Sequence, residues 1–151
     1  MSQRLIAKNK KAFHEFEVLD RYEAGLVLQG TEVKSLREGK VNLKESFARV
    51  KNGEVWLEGC HISPYEYGNI HNHDPIRPRK LLLHRREISQ LIVKVEQKGL
   101  TLVPLSLYFT NGKAKLELAV ARGKKLHDKR ETERRKTIER EVQAELKGRR
   151  I

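Results

Sequence analysis

Between residues 13 and 121, short apolar runs alternate with polar positions and are broken by glycine or Asn-Gly pairs. This is the pattern of β-strands joined by tight turns. Phe16, Val18 and the residues to Tyr22 lead through Glu23, Ala24 and Gly25 into Leu26-Val27-Leu28, which predicts a hairpin with Gly25 in its turn. Phe47–Val50 and Glu54–Ile62 flank Asn52-Gly53, and the stretches 100–110 and 113–121 flank Asn111-Gly112. Asn-Gly between strands is a strong hairpin signal, because both residues tolerate the positive φ of a type I′ turn. In the last strand Ala114, Leu116, Leu118 and Val120 share one face, with Lys113, Lys115 and Glu117 on the other. Pro104 cannot donate to a ladder, so the strand around it is expected to bend or to lie at an edge.

Two segments change period. Thr31–Glu38 is a short helix stopped by Gly39. In His84–Lys98 the residues Ile88, Leu91, Ile92 and Val95 form one apolar face, and Gly99 ends the run. Between them lies a loop, Ser63–Arg79, carrying Pro64, Pro75 and Pro78. About six short strands with inserted helices predict a mainly β fold, a small closed barrel of the kind that binds oligonucleotides. Periodicity alone leaves a split α+β sheet open.

Charge alters the picture. The 151 residues carry 32 Lys and Arg against 20 Asp and Glu, a net +12, at a mean hydropathy of −0.67. The excess sits at the ends. Residues 1–12 hold Arg4, Lys8, Lys10 and Lys11 with no acid, and residues 122–151 hold 12 basic and 6 acidic side chains. A nearly neutral body between two cationic ends points to a polyanion partner. Residues 1–122 read as a folded domain with a basic N-terminal arm. Residues 123–151 read as a tail in which Leu126 is the only apolar side chain before Ile138. Such a segment is expected to be disordered alone and helical against a polyanion. No apolar run reaches the ~18 residues of a membrane span, and Met1–Ala12 lacks a signal-peptide core. The chain is therefore expected in the cytoplasm, with no membrane partner.

Candidate chemistry is sparse. His71, His73 and Asp74 could suggest a metal site, but they lie in a proline-rich loop without a second ligand motif, so solvated histidines are expected. Cys60 and His61 are neighbours on an expected strand and point to opposite faces; Cys60 is expected to be a core thiol. No Walker A loop, dinucleotide fingerprint or nucleophile elbow is present. No enzyme, metal or cofactor is expected.

Five segments occur in order: Asn9-Lys10-Lys11-Ala12, Glu23-Ala24-Gly25-Leu26, Glu32-Val33-Lys34-Ser35-Leu36-Arg37, Arg79-Lys80-Leu81-Leu82-Leu83 and Gly123-Lys124-Lys125-Leu126-His127-Asp128-Lys129-Arg130. Together they resemble the SsrA-binding protein (small protein B, SmpB) family. The resemblance implies a six-stranded oligonucleotide-binding (OB-type) barrel that binds the tRNA-like domain of transfer-messenger RNA, as a monomer with one RNA. It also implies delivery to stalled ribosomes for trans-translation. The ribosome supplies the chemistry, and the tail is helical beside the decoding centre. On the barrel it implies RNA contacts for Asn9, Lys10, Lys11, Glu23 and Leu82, with phosphate contacts for Arg79 and Lys80. By residue chemistry alone Leu82 reads as core. In the tail it implies contacts with small-subunit ribosomal RNA for Lys124, Lys125, His127, Asp128, Lys129 and Arg130. Ile138 departs from the family, which often has an aromatic residue there. A general single-strand-binding barrel, a structural ribosomal protein and a metal nuclease on His71, His73 and Asp74 are the competing readings.

Overall fold

Antiparallel pairing organises the chain. The structure, a computed structural model, describes residues 3–68 and 72–124. The elements in chain order are β1 (Gln3–Lys8), α1 (Lys10–Glu15), β2 (Phe16–Leu26), α2 (Gly30–Arg37), β3 (Val41–Asn42), β4 (Phe47–Lys51), β5 (Glu54–Glu58), β6 (His61–Ile62), β7 (Arg79–Leu82), α3 (Arg85–Glu96), β8 (Thr101–Thr110) and β9 (Lys113–Gly123). Seven strands form one sheet in the order β1-β8-β4-β5-β7-β2-β9, and β9 also pairs with β8; β3 and β6 form a small separate ladder. Among the described residues the fold is mainly β, with three helices set on a large antiparallel sheet.

Both Asn-Gly turns occur where the sequence places them. Asn52 and Gly53 join β4 to β5, Asn111 and Gly112 join β8 to β9, and all four have positive φ. The helices at residues 30–37 and 85–96 also match expectation to within two residues at each end. The inner face of β9 is as read: Leu116, Leu118 and Val120 are buried in the main core with Val55, Leu57, Leu81, Leu91 and Leu102.

Several expectations are corrected. The hairpin with Gly25 at its turn does not form. Strand β2 runs unbroken through Gly25, which has extended backbone and pairs with Leu82 on one side and Lys115 on the other. The ladder to β9 holds it straight, so tertiary pairing overrides the local turn signal. The basic N-terminal stretch forms β1, which pairs with β8, and α1 follows. At six residues, α1 is too short to show a period. It covers a second small core in which Ala12 meets Val103, Leu105, Ala119 and Ala121. The far end of the outer β9 face is thereby buried. Pro104 lies within β8, where the register with β9 shifts between Pro104 and Ser106; the strand keeps its place by a bulge. The expected strand at residues 54–62 breaks after Glu58, because Gly59 turns the chain with φ +75.

The loop histidine is likewise not solvated. His73 is buried, with Nε2 donating to the Ile62 carbonyl at 2.8 Å and Nδ1 sharing a 2.8 Å bond with the Thr31 hydroxyl. It ties the proline-rich loop to α2. His71 lies outside the described residues. Cys60 is buried while His61 is exposed, and burial pushes the thiol up to about 11, which keeps it protonated. Among the described residues no cluster of His, Cys, Asp and Glu could hold a metal, and no helix is long and apolar enough to cross a membrane.

Candidate nucleic-acid interface

Strand alternation sorts the expected site residues. On β7, Arg79 and Leu81 point inward and Lys80 and Leu82 outward. Leu82 is 52% exposed, a large apolar side chain left on the surface. Its cross-strand partner is Gly25, where an added Cβ would lie 3.4 Å from Leu82 Cβ and 3.7 Å from Lys115 Nζ. With no side chain at Gly25, Leu82 and the Lys115 ammonium close over its buried backbone.

Glu23, two residues back on β2, faces the same way and pairs with Glu117 of β9. The Tyr108 hydroxyl donates to Glu23 Oε2 at 2.7 Å. Burial and this carboxylate together push the phenol above its ordinary range, so it stays a donor. Glu23 forms a ridge between two open grooves. One is walled by Leu5, Arg21, Ser106 and Tyr108; the other by Leu82, His84, Glu87 and Lys115. Leu5, 63% exposed, pairs with Tyr108 across β1 and β8. The outer faces of β1, β8, β9, β2 and β7 thus carry a continuous surface. It offers an oriented carboxylate, exposed apolar side chains and the ammonium groups of Lys115 and Lys80, a mixture suited to base edges, sugars and phosphates.

Two expected contacts turn inward. Arg79 is fully buried, so it has no surface to offer a phosphate. Its Nε donates to Glu32 Oε2 at 2.6 Å, and its Nη atoms donate to the carbonyls of Cys60 at 2.6 Å and Pro75 at 3.1 Å. Arg77 donates to the other Glu32 oxygen at 2.6 Å. Burial pushes the Glu32 carboxyl up, but hydrogen bonds from Arg77, the Gln29 N–H and Arg79 outweigh it and hold the group below its ordinary value.

Asn9 is buried as well. Its Oδ1 accepts from the Ala12 N–H at the start of α1, and its Nδ2 donates to the carbonyls of Pro104 at 3.0 Å and Leu43 at 3.4 Å. Both amide protons are committed to the bulge side of β8 and to residue 43, and Asn9 caps and positions α1. Lys10 is exposed on α1; Lys11 is half-buried, bonded to Glu45 and 3.7 Å from Glu15. These lysines sit by the Phe16 end of β2, roughly 20 Å along the strand from Glu23 at ~3.3 Å per residue. The structure therefore brings together Glu23, Lys80 and Leu82, and sets Lys10 and Lys11 apart. Lys124 continues from β9, its backbone N–H donating to the Glu15 carbonyl at 2.9 Å. Lys125, His127, Asp128, Lys129 and Arg130 lie outside the described residues.

A family model described as SmpB protein matches residues 6–148. The chain belongs to the SmpB family. An SsrA-binding protein of Carboxydothermus hydrogenoformans is 56% identical over 147 residues, spanning 97% of this chain and 99% of the relative. One from Anoxybacillus flavithermus is 61% identical over 146 residues, spanning 97% and 95%. A solved structure described as "tmRNA-SmpB: a journey to the center of the bacterial ribosome" superimposes with a TM-score of 0.69 at 55% identity, covering 85% of this chain and 94% of that one. Within this SmpB-family fold, Tyr108, Gly25 and Lys115 line the candidate surface beside Glu23 and Leu82, and sequence reasoning missed them. The available signal was register: the Asn111-Gly112 turn fixes the β8–β9 pairing that puts Tyr108 opposite Lys115.

Proposed function

We propose that this chain binds transfer-messenger RNA through its tRNA-like domain and delivers it to stalled ribosomes for trans-translation. It acts in the cytoplasm, as a monomer with one RNA, and performs no chemistry itself. Full-length relatives at 56% and 61% identity carry the name SsrA-binding protein, and the similar solved structure is of tmRNA-SmpB. The observation on this chain that carries the reading is the outer face of β7 and β2, where Leu82 stands exposed beside Glu23 and the side-chain-free Gly25.

The pairing path β8-β4-β5-β7-β2-β9 and back to β8 supports reading these strands as a closed six-stranded OB-type barrel with β1 added outside. On its surface Leu82 packs against a base or sugar, Glu23 accepts from a base amino or imino group, and Lys80 and Lys115 approach phosphates. Lys10 and Lys11 form a second cationic point at the far end of β2. Arg79 and Asn9 support this surface from within. From Lys124 onward the tail, with Lys125, His127, Asp128, Lys129 and Arg130, takes its positive charge to small-subunit ribosomal RNA.

The test has two arms. In a gel shift with a transcript of the tRNA-like domain, the wild-type chain should bind, with affinity falling steeply as salt rises. A chain ending at Lys124 should bind that RNA as well as the full chain does, yet fail to support tagging on stalled ribosomes. Absence of a shift, or normal tagging by the shortened chain, contradicts the reading.

A further inference from the structure

Trp56 is the chain's single tryptophan. On β5, Val55 and Leu57 enter the core, and alternation leaves the Trp56 indole half-exposed on the outer face. It belongs to neither hydrophobic core. Its cross-strand partners are both cations, Arg49 on β4 and Lys80 on β7. Arg49 is held 3.1 Å from Glu58, and Lys80 is 3.5 Å from Glu54. Lys51, Asn52 and Pro78 complete an open groove around the indole.

We propose that this groove is a stacking subsite for one unpaired nucleotide of the RNA bound across the Glu23–Leu82 face; this rests on the RNA-binding function proposed above. A flat π face between two cations is the arrangement that single-stranded nucleic acid uses: the base stacks, and the charges take the flanking phosphates. Arg49, Lys51 and Lys80 outnumber Glu54 and Glu58, and each carboxylate is already paired with one of those cations. The groove is continuous with the candidate interface. Lys80, the cross-strand partner of Trp56, shares the outer face of β7 with Leu82, and the Trp56 backbone lies one strand and two residues from Leu82, about 8 Å by sheet geometry. A strand of RNA crossing Leu82 therefore reaches Trp56 without leaving the surface.

The single tryptophan makes the test direct. The full chain is titrated with a transcript of the tRNA-like domain, following tryptophan emission and gel shift together. Quenching that saturates with the shift is expected, because a stacked base quenches indole emission. Trp56→Ala should bind about tenfold more weakly, from the ~1–3 kcal/mol of one base–aromatic stack. Trp56→Phe, which keeps a π face and the same place on the strand, should recover most of that loss. Emission unchanged at full shift overturns the subsite and leaves the function standing. Trp56→Phe binding no better than Trp56→Ala, with both folded, overturns it too. Absence of any shift by the wild-type chain defeats the function reading itself.

Discussion

Arg79 and Lys80 are adjacent and alike in charge, yet β7 sends them to opposite faces of the sheet. Arg79 meets Glu32 in the interior with every nitrogen directed at an oxygen; Lys80 lies on the surface with one carboxylate 3.5 Å away. Inside, a charge is affordable only when fully paired, because water cannot replace a lost partner. Outside, the same charge is worth little to stability and is free to be drawn to a phosphate. The inner face of β7 thus fixes α2 and the proline-rich loop, and the outer face is left to recognise. A basic residue in a family motif serves either purpose, and the pleat decides which.

The largest way to break this contrast is Glu32→Ala. Stranding buried Arg79 should cost about 3–5 kcal/mol, read as a lower urea midpoint, whereas a loss below ~1 kcal/mol would mean the network is not holding the fold. Acid should act on the same bond. Glu32 is held below its ordinary 4.5, so its ionised form favours the folded state; that contribution is complete above about pH 4.5 and is lost as pH falls through the lower folded value. Glu32→Gln should flatten the decline of stability in that acid window.

On the outer face, Leu82→Ala and Glu23→Ala should leave the unfolding midpoint within ~0.5 kcal/mol of wild type. Each should weaken binding to the tRNA-like domain by about 1.5–3 kcal/mol, for Glu23 as a lost charged hydrogen bond. Wild-type affinity in both would remove the face from the interface. Tyr108→Phe is a finer probe. It frees the Glu23 carboxylate to rotate and should cost about 0.5–1.5 kcal/mol of RNA affinity, an effect that should vanish in a Glu23→Ala background. The smallest effect belongs to Gly25→Ala. A methyl 3.4 Å from Leu82 fits without strain, so stability should hold while RNA affinity falls a few-fold, measured by the same gel shift.

The difference between the two faces was partly legible in the sequence. Alternation along residues 79–82 puts Arg79 on the same face as Leu81, and Lys80 and Leu82 on the other; a family motif gives charge but not face, so the phosphate contact it implies for Arg79 carries no information on burial. Leu82 read as core by hydrophobicity alone, and its exposure emerges only once Gly25 is seen opposite it. The two Asn-Gly turns and both longer helices were readable because their signals are local. Helix α1 was not, since its decisive feature is Asn9 bonding to carbonyls at residues 43 and 104, far along the chain. His73 was hidden in the same way: its partners belong to α2 and β6.

The register of the outermost strands has a consequence for how the protein is made. Gln3 pairs with Thr110, and β2 pairs along nearly its whole length with β9, from Phe16 opposite Gly123 to Gly25 opposite Lys115. During synthesis β1 and most of β2 therefore wait for partners until some hundred later residues have left the exit tunnel, and the sheet is completed only near the end. Such long-range pairing makes folding slow and nearly all-or-none. A message cut short before the codons for β9 yields a chain in which β2 keeps only its short ladder to β7 and the core lacks Leu116, Leu118 and Val120, so a protease meets an unfinished sheet.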